Sequence, residues 1–344
     1  MQAKRRLPAE WEPQDGVLLA WPHEGTDWAP YLPAVEEVFL QIVVQVSRFE
    51  EVLVVVPDGA DLEPRFRGAG ARTDRVRTCA VPTNDTWARD FGPITVLGPG
   101  GPVLLDFGFN GWGLKFACDR DNRVTRRLRE GGAFGATPLR TVGLVLEGGS
   151  VESDGRGTVL TTEACLLGPN RNPHLDRGGI ERMLAEHLGA DRVLWLRHGH
   201  LAGDDTDAHV DTLARFAPGD ALLHVACDDP ADGHYAELAR MAEELERFRT
   251  PEGKPYRLRP LPWPGPKFDQ TGERLPATYA NFLVLDGAVL VPTYRDPADA
   301  RALDVIAEAF PDRQAIGVDC LPLLLQHGSL HCVSMQLPRG VLRG

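Results

Sequence analysis

The sequence lacks the cysteine patterns that are typical of zinc sites and disulfide-rich domains. Its six cysteines include no Cys-x-x-Cys pair, and their spacing matches no zinc pattern. In a chain of 344 residues we expect these thiols to be reduced and mostly buried, with room for one reactive member.

Long apolar runs and an excess of positive charge are also missing. No stretch reaches about 18 consecutive apolar residues, so no membrane span is predicted. No apolar run follows the basic start MQAKRR, so no secretory signal is predicted either. The formal net charge of -12 disfavours nucleic acid binding and is compatible with a small cationic ligand. We therefore expect a cytoplasmic protein that binds neither nucleic acid nor a membrane.

A hairpin pattern recurs along the chain. Two β-like runs around a Gly-containing turn occur at Ile94–Phe107, Ser150–Leu167, His209–Cys227 and Tyr279–Tyr294. Helical patterns lie at Leu32–Val46, Gly178–Leu188, Ala231–Phe248 and Pro297–Phe310, and further strand candidates lie at 16–22 and 329–337. The recurrence predicts either radial repetition of hairpin-plus-helix units or an α+β protein of two domains with unrelated hairpins. The Pro-rich stretch Leu258–Pro266 is interpreted as a loop or lid.

The segment from Asn84 to Pro93 places two carboxylates, a Trp and an Arg close together. Asp90 or Asp85 can bind a cation on which Trp87 packs. The alternative is a salt bridge from Arg89 to an aspartate that fixes a turn.

Glu147 ends an apolar run and is followed by two glycines. This pattern allows the backbone to approach a ligand closely. The alternative is a β-bulge that carries a solvent-exposed glutamate.

An acidic segment surrounds His209. If Ala208–Phe216 is a strand, His209 and Asp211 point to the same face, as a general acid/base and its orienting carboxylate would. A metal site formed by Asp207, His209 and Asp211 and an acidic turn with a structural histidine are the alternatives.

Cys332 follows a Gly-containing loop and begins an apolar run. On a strand His331 would face away from Cys332, so His331 is not the expected partner of the thiol. By itself this segment gives Cys332 little advantage over the other cysteines.

Taken in order, these segments resemble the agmatine deiminase family, a bacterial peptidyl-arginine-deiminase-like family of the pentein superfamily. The shared motifs cover nearly the whole chain and include NDTWARDFGP, LEGGSVESDGRGTVLTTEACLLGPNRNPH, GDDTDAHVDTLARF, LPATYANFLV and GSLHCVSMQ. The resemblance implies an α+β fold, a five-fold pseudo-symmetric α/β propeller of ββαβ-type units, with residues 1–344 as one catalytic domain.

The resemblance also implies a reaction and assigns residues to it. Agmatine would be hydrolysed at its guanidinium group to N-carbamoylputrescine and ammonia, with no metal or organic cofactor. Cys332 would attack the guanidinium carbon, and His209 would protonate the leaving ammonia and then activate water. The carboxylates that would grip the guanidinium N–H groups are Asp90, Glu147 and Asp211. Further substrate contacts are expected from Trp87, Asp85, Asp204 and Asp205.

Several questions stay open at this level. The chain has His-Gly-Ser-Leu-His-Cys where many family members have Gly-Gly-Gly-Asn-Ile-His-Cys, which affects the loop before the nucleophile. A free-arginine or peptidyl-arginine deiminase and a non-catalytic guanidine sensor are alternatives on the same scaffold, and a homo-oligomer is compatible with all of them. Three carboxylates should raise the pKa of a nearby thiol, so thiolate formation needs a positive charge from either a protonated His209 or the substrate cation. We expect the substrate cation to contribute strongly.

Overall fold

The computed structural model describes residues 5–342 and shows one connectivity repeated in five sheets. The first two strands of each repeat pair antiparallel, and a third strand, reached through a helix, pairs parallel with the second. The same holds for the fourth and fifth repeats. The fold is therefore a mixed α/β architecture built from similar units.

The elements of the first half of the chain belong to three of these units. They are β1 (Gln14–Ala20), α1 (Leu32–Ser47), β2 (Glu51–Val56), α2 (Glu63–Gly68), β3 (Val76–Ala80), α3 (Ala88–Phe91), β4 (Ile94–Gly98), β5 (Gly101–Gly108), α4 (Gly111–Leu114), α5 (Val124–Glu130), β6 (Leu139–Val145), β7 (Glu152–Ser153), β8 (Thr158–Thr162), α6 (Glu163–Leu166), α7 (Arg177–Leu188) and β9 (Arg192–Leu196).

The second half contains the other two units and the last strand. Its elements are β10 (Ala214–Ala217), β11 (Ala221–Val225), α8 (Tyr235–Arg247), β12 (Arg257–Leu261), β13 (Lys267–Phe268), β14 (Arg274–Leu275), β15 (Leu283–Val284), β16 (Ala288–Thr293), α9 (Asp299–Ala309), β17 (Gln314–Asp319) and β18 (Ser334–Pro338).

The two ends of the described chain complete the first sheet together. β18 pairs antiparallel with β1, with Met335 opposite Leu18, and β2 pairs parallel with β1 on its other side. The early and late strand candidates are therefore neighbours in one sheet, and the last strand anchors the loop that carries Cys332.

The predicted helices form because their apolar residues recur at three- and four-residue spacing and face the core. In α1 the residues that follow this spacing are fully or almost fully buried, namely Val35, Val38, Phe39, Ile42, Val43 and Val46. The four predicted hairpins are confirmed at β4–β5, β7–β8, β10–β11 and β15–β16. In the range 5–342 no helix combines the length and the apolar character needed to cross a membrane.

Outside the site, two local predictions are wrong, the second of them in part. The strand expected to run to Leu167 ends at Thr162, because the Thr162 hydroxyl accepts the Cys165 N–H and caps α6. The stretch Leu258–Pro266, interpreted as a loop or lid, is a loop only in its second part, because residues 258–261 belong to β12, which pairs parallel with β11.

Candidate active site

Five segments form the site, and each lies just before the first strand of one unit. They are α3 before β4, the turn Gly148–Ser150 before β7, the turn Val210–Thr212 before β10, the segment before β15 and the turn before β18. Their site residues, in this order, are Asp90, Glu147, His209 with Asp211, Asn281 and Cys332. Each unit therefore contributes one segment to the same site.

The Cys332 thiol is buried and contacts Asn281. Its Sγ lies 3.3 Å from Asn281 Oδ1, which also accepts the backbone N–H groups of His331 at 2.9 Å and Cys332 at 3.2 Å. These two donors identify the facing atom as the amide oxygen, so the thiol is the donor in the third contact. Burial, together with the carboxylates of Asp211 and Asp90, raises the pKa of Cys332 well above its ordinary value. The resting site therefore holds a protonated thiol.

His209 lies among acidic groups that favour its protonated form. Its Nδ1 is 3.7 Å from Asp90 Oδ1, and a ring nitrogen lies within 4.8 Å of ligand atoms of Glu147 and Cys165. Although burial acts to lower it, the nearby Asp90 and Cys165 raise the pKa of His209 well above its ordinary value. A buried imidazolium with this setting can donate a proton to a leaving group.

Gly149 allows these groups to converge. A Cβ atom on this residue would lie 2.6 Å from His209 Nδ1, 3.0 Å from Asp211 Oδ2 and 3.1 Å from Asp90 Oδ1. Only glycine leaves this space open, which explains the second glycine after Glu147.

Asp90 is fixed by two donors. Trp112 Nε1 donates to its Oδ2 at 2.9 Å, and the Gly149 N–H donates to its Oδ1 at 3.0 Å. Arg89 points elsewhere, because its guanidinium donates to the His331 carbonyl and to the side chain of Gln336. The alternative of a salt bridge between Arg89 and an aspartate is therefore wrong.

Glu147 is fully buried, so the alternative of a solvent-exposed glutamate is wrong. Arg171 Nε donates to both of its carboxylate oxygens, at 2.9 and 3.0 Å. Arg171 Nη1 also lies 2.6 Å from Asp207 Oδ2, and Lys115 Nζ lies 2.7 Å from Asp207 Oδ1. The Asp207 carboxylate is thus held between two cations and does not join His209 and Asp211 as a metal ligand.

The predicted strand Ala208–Phe216 begins only at Ala214, and a tight loop carries His209 instead. Asp204 makes this loop: its carboxylate accepts the N–H groups of Thr206 at 3.2 Å and Ala208 at 2.6 Å. Asp207 and Ala208 adopt left-handed φ values of 66° and 63°. His209 and Asp211 both approach Gly149, although no strand periodicity places them there.

A cavity of about 480 Å³ opens onto Cys332 and Asp90. Six carboxylate residues line it, and the described lining contains no Lys or Arg. These six are Asp27, Asp85, Asp90, Asp204, Asp205 and Glu273. Burial raises the pKa of Asp85 to about 7, and burial with the neighbouring Asp204 raises that of Asp205 to about 6. Crowded carboxyl groups with raised pKa values favour a cationic ligand, which stabilises their ionised forms.

The loop before the nucleophile packs directly on Trp87. A Cβ atom on Gly328 would overlap the Trp87 ring, so this glycine is required for the contact. His327 adopts a left-handed φ of 64° and also lines the cavity. The departure from the family motif thus introduces a histidine at the cavity wall and keeps the glycine that the packing needs.

Sequence reasoning missed the residues that hold the predicted ones in place. Asn281, Trp112 and Arg171 contact Cys332, Asp90 and Glu147 respectively. For Asn281 the one signal in the sequence was its position. Like the predicted residues, it lies just before the first strand of its unit.

Comparison with known proteins places this geometry in a family. Residues 6–338 match the model of the Porphyromonas-type peptidyl-arginine deiminases. The chain belongs to this family. An agmatine deiminase of Pseudomonas putida is 35% identical, with 98% of this chain and 96% of that protein covered.

Solved structures of family members superpose closely. A putative arginine deiminase from Porphyromonas gingivalis is 51% identical, with a TM-score of 0.93 and coverage of 99% of this chain and 100% of that chain. A cysteine-to-serine variant of a C. jejuni agmatine deiminase, with substrate bound, is 38% identical, with a TM-score of 0.91 and 98% of both chains covered. At the level of fold alone, a dimethylarginine dimethylaminohydrolase matches with a TM-score of 0.52 at 13% identity over 94% of this chain and all of that one. The family and a mixed α/β fold are thereby established.

Proposed function

We propose that the protein hydrolyses the guanidinium group of agmatine to N-carbamoylputrescine and ammonia. One observation carries the proposal: a cavity lined by six carboxylates and by no Lys or Arg of the described chain leads to the Cys332 thiol. The family's agmatine deiminases, similar along almost the whole chain, support it.

The reaction needs a nucleophile, an acid and an anionic cradle. When agmatine binds, the Cys332 thiol loses its proton to solvent, and the thiolate attacks the guanidinium carbon and forms a C–S bond. The C–N bond then breaks, and the nitrogen leaves as ammonia with a proton from His209. His209 next takes a proton from water, which attacks the amidino-thioether carbon and forms a C–O bond. The C–S bond breaks as the new hydroxyl gives its proton to solvent, and the products are the urea and the free thiolate.

Asp90 and Asp211 are placed to bind the guanidinium N–H groups. Asp90 lines the cavity, and Asp211 Oδ1 is buried without a hydrogen-bond partner among the described residues. Glu147 is already engaged by Arg171 and lies within 4.8 Å of His209, so we assign it to stabilising the imidazolium. Charged N–H donors and carboxylates form the strongest class of hydrogen bond in proteins.

The distal ammonium is assigned to Asp85 and Asp205, beside the Trp87 ring. Both carboxylates line the cavity, and because their pKa values are raised, a bound cation favours their ionised forms. The Asp204 carboxylate also lines the cavity, but both of its oxygens accept hydrogen bonds within its own loop. We therefore assign Asp204 to holding the loop that carries His209 and not to a direct contact with the ammonium.

Parallel assays of ammonia release from agmatine, free arginine and an arginyl peptide test the substrate. Agmatine is expected to give the highest kcat/KM, because arginine adds a carboxylate to an acidic cavity. The alternative, an arginine or peptidyl-arginine deiminase, draws support from the 51% identity to a putative arginine deiminase. Faster turnover of arginine or of the peptide would replace the proposal by that alternative.

The substrate cation is expected to lower the thiol pKa. Because Cys332 lies beside acids, its alkylation rate should rise only at alkaline pH in the free enzyme. A non-reactive guanidinium ligand that leaves the thiol accessible should move the midpoint of the alkylation profile down by at least about one pH unit. A midpoint that stays fixed or moves up in the presence of the ligand would refute substrate-assisted activation.

Agmatine binding is expected to weaken as the pH falls through about 7 to 6. Asp85 and Asp205 have raised pKa values, so lower pH adds protons that the ammonium must displace. In the Cys332→Ser background, the agmatine Kd should rise several-fold per pH unit below about 6, approaching tenfold for each proton displaced. Butylguanidine, which lacks the ammonium, is the matched control and should show a weaker dependence. Equal slopes for the two ligands would rule out these carboxylates as the ammonium site.

We further propose that the five units surround one axis as a five-fold pseudo-symmetric propeller and form one catalytic domain. The shared connectivity of the five sheets and the equivalent position of the five site segments support this arrangement.

A further inference from the structure

The side chain of His331 lies between two buried carboxylates. Its Nδ1 is 2.7 Å from Asp211 Oδ2, and its Nε2 is 2.8 Å from Glu10 Oε2. β18 begins only at Ser334, so the strand geometry predicted for His331 and Cys332 is wrong. The residue next to the nucleophile instead reaches a carboxylate that we assign to the substrate.

Two further donors hold Glu10. Arg215 Nη2 donates to Glu10 Oε2 at 2.7 Å, and the Val284 N–H donates to Glu10 Oε1 at 2.9 Å. The ligand atoms of Glu10, Glu152 and His331 lie within 4.8 Å of one another, a spacing that could hold a metal ion. Here the Arg215 guanidinium supplies the cation, because it pairs with both glutamates.

The direction of the hydrogen bond to Asp211 follows from its chemistry. An ionised carboxylate only accepts, so His331 Nδ1 carries the proton that lies between the two residues. Although burial opposes ionisation, the hydrogen bond from His331 holds the pKa of Asp211 below its ordinary value. Asp211 Oδ2 is thereby occupied, and Oδ1 stays free.

We infer that His331 is a positioning residue for the guanidinium: its Nδ1–H fixes Asp211 so that Oδ1 faces the substrate, and Glu10 fixes His331 in turn. The inference rests on the proposed deiminase reaction. His331 takes no part in bond making, because its donor is directed to Asp211. Glu10, which precedes β1, thus helps to position the Asp211 carboxylate, which belongs to the fourth unit.

Several charged or titratable groups surround Asp211 and affect how its protonation depends on pH. Besides His331 and Glu10 they include His209, Arg89, Arg215, Asp90 and Cys332.

Two variants of His331 distinguish a positioning role from a contribution to folding alone. The amide nitrogen of asparagine takes the place of Nδ1, so His331→Asn keeps the donor to Asp211. The amide of glutamine reaches the place of Nε2, so His331→Gln keeps the contact with Glu10 and loses that donor. H331Q is expected to lower kcat/KM for agmatine about 10–100-fold. H331N should restore kcat/KM to within about tenfold of wild type, a rescue that a merely structural role would not give.

A thermodynamic cycle tests whether the effect passes through Asp211. In the Cys332→Ser background, H331Q should weaken agmatine binding, but it should add less than about threefold once Asp211→Asn is present. Equal losses with and without Asp211, or an equal loss of kcat/KM in folded H331Q and H331N, would overturn the inference.

A third variant covers the case in which H331Q does not fold. Glu10→Gln preserves shape and hydrogen bonding while removing the charge, and in the Cys332→Ser background it should weaken agmatine binding only while Asp211 is present. A folded E10Q that binds agmatine as tightly as its parent would likewise overturn the inference. A wild-type enzyme that releases no ammonia from agmatine would instead contradict the proposed function, so the two failures are distinguishable.

Discussion

Replacing Cys332 by serine is expected to reduce ammonia release from agmatine by at least about 10³-fold while leaving agmatine bound. A hydroxyl has the size of the thiol but is a much poorer nucleophile, and no other described sulfur lines the cavity. The contact with Asn281 can be kept by the serine hydroxyl, so the fold should be unaffected. The measurements are steady-state ammonia release and calorimetric binding of agmatine.

A matched cysteine control makes this test specific. Cys79 is a half-buried free thiol on β3, away from the cavity lining, so Cys79→Ser should keep near wild-type turnover. Intact-mass analysis of rapidly quenched wild-type enzyme should show the amidino adduct, and C332S should show none. Substantial turnover by C332S, or an adduct on another cysteine, would contradict the assignment of the nucleophile.

The second large effect is expected for His209→Asn, which should lower kcat for agmatine by about 10²–10⁴-fold. The variant keeps a small polar side chain but removes the group that protonates ammonia and activates water. Its effect should fall mainly on kcat, because Asp90 and Asp211 still bind the guanidinium. Steady-state kinetics at saturating agmatine measure it.

A substrate with a better leaving group distinguishes a proton donor from a structural residue. An S-alkyl isothiourea analogue loses a thiolate, which departs with less need of protonation than ammonia. H209N should therefore still form the adduct on Cys332 from this analogue, and the adduct should accumulate because water is not activated. Mass spectrometry detects it. Equal loss of adduct formation from both substrates would show that His209 does not act as the acid.

Much of the fold could be predicted from local sequence. Asp-Gly and Pro-Gly turns between apolar alternations predicted four hairpins, and apolar spacing predicted four helices, all of which the structure contains. These signals are local, because turn type and amphipathic period depend on neighbouring residues. Predictions failed at the ends of strands, which side-chain hydrogen bonds to the backbone determine. Thr162 caps α6 and ends the strand before it, and Asp204 forms the loop that delays the start of β10 to Ala214.

The candidate site was predictable in its residue types but not in its contacts. Asp90, Glu147, His209, Asp211 and Cys332 were singled out from four segments, and the resemblance to a family joined them. Their assigned roles are still predictions that the experiments above test. Asn281 was missed because an asparagine before a strand carries no chemical signal until its amide oxygen is seen facing a thiol.

The sequence by itself determined the hairpin-plus-helix repeat, the acidic charge and the conflict between a thiol nucleophile and its acidic neighbours. The tertiary structure decided which carboxylates have an oxygen left to bind a substrate. Arg171 pairs with Glu147, and hydrogen bonds within the loop engage Asp204, whereas Asp211 keeps one oxygen without a partner among the described residues. It also decided that His331 contacts Asp211. The physical reason is distance along the chain: hydrogen bonds and close approach at Gly149 join segments from five units, and no local pattern records such contacts.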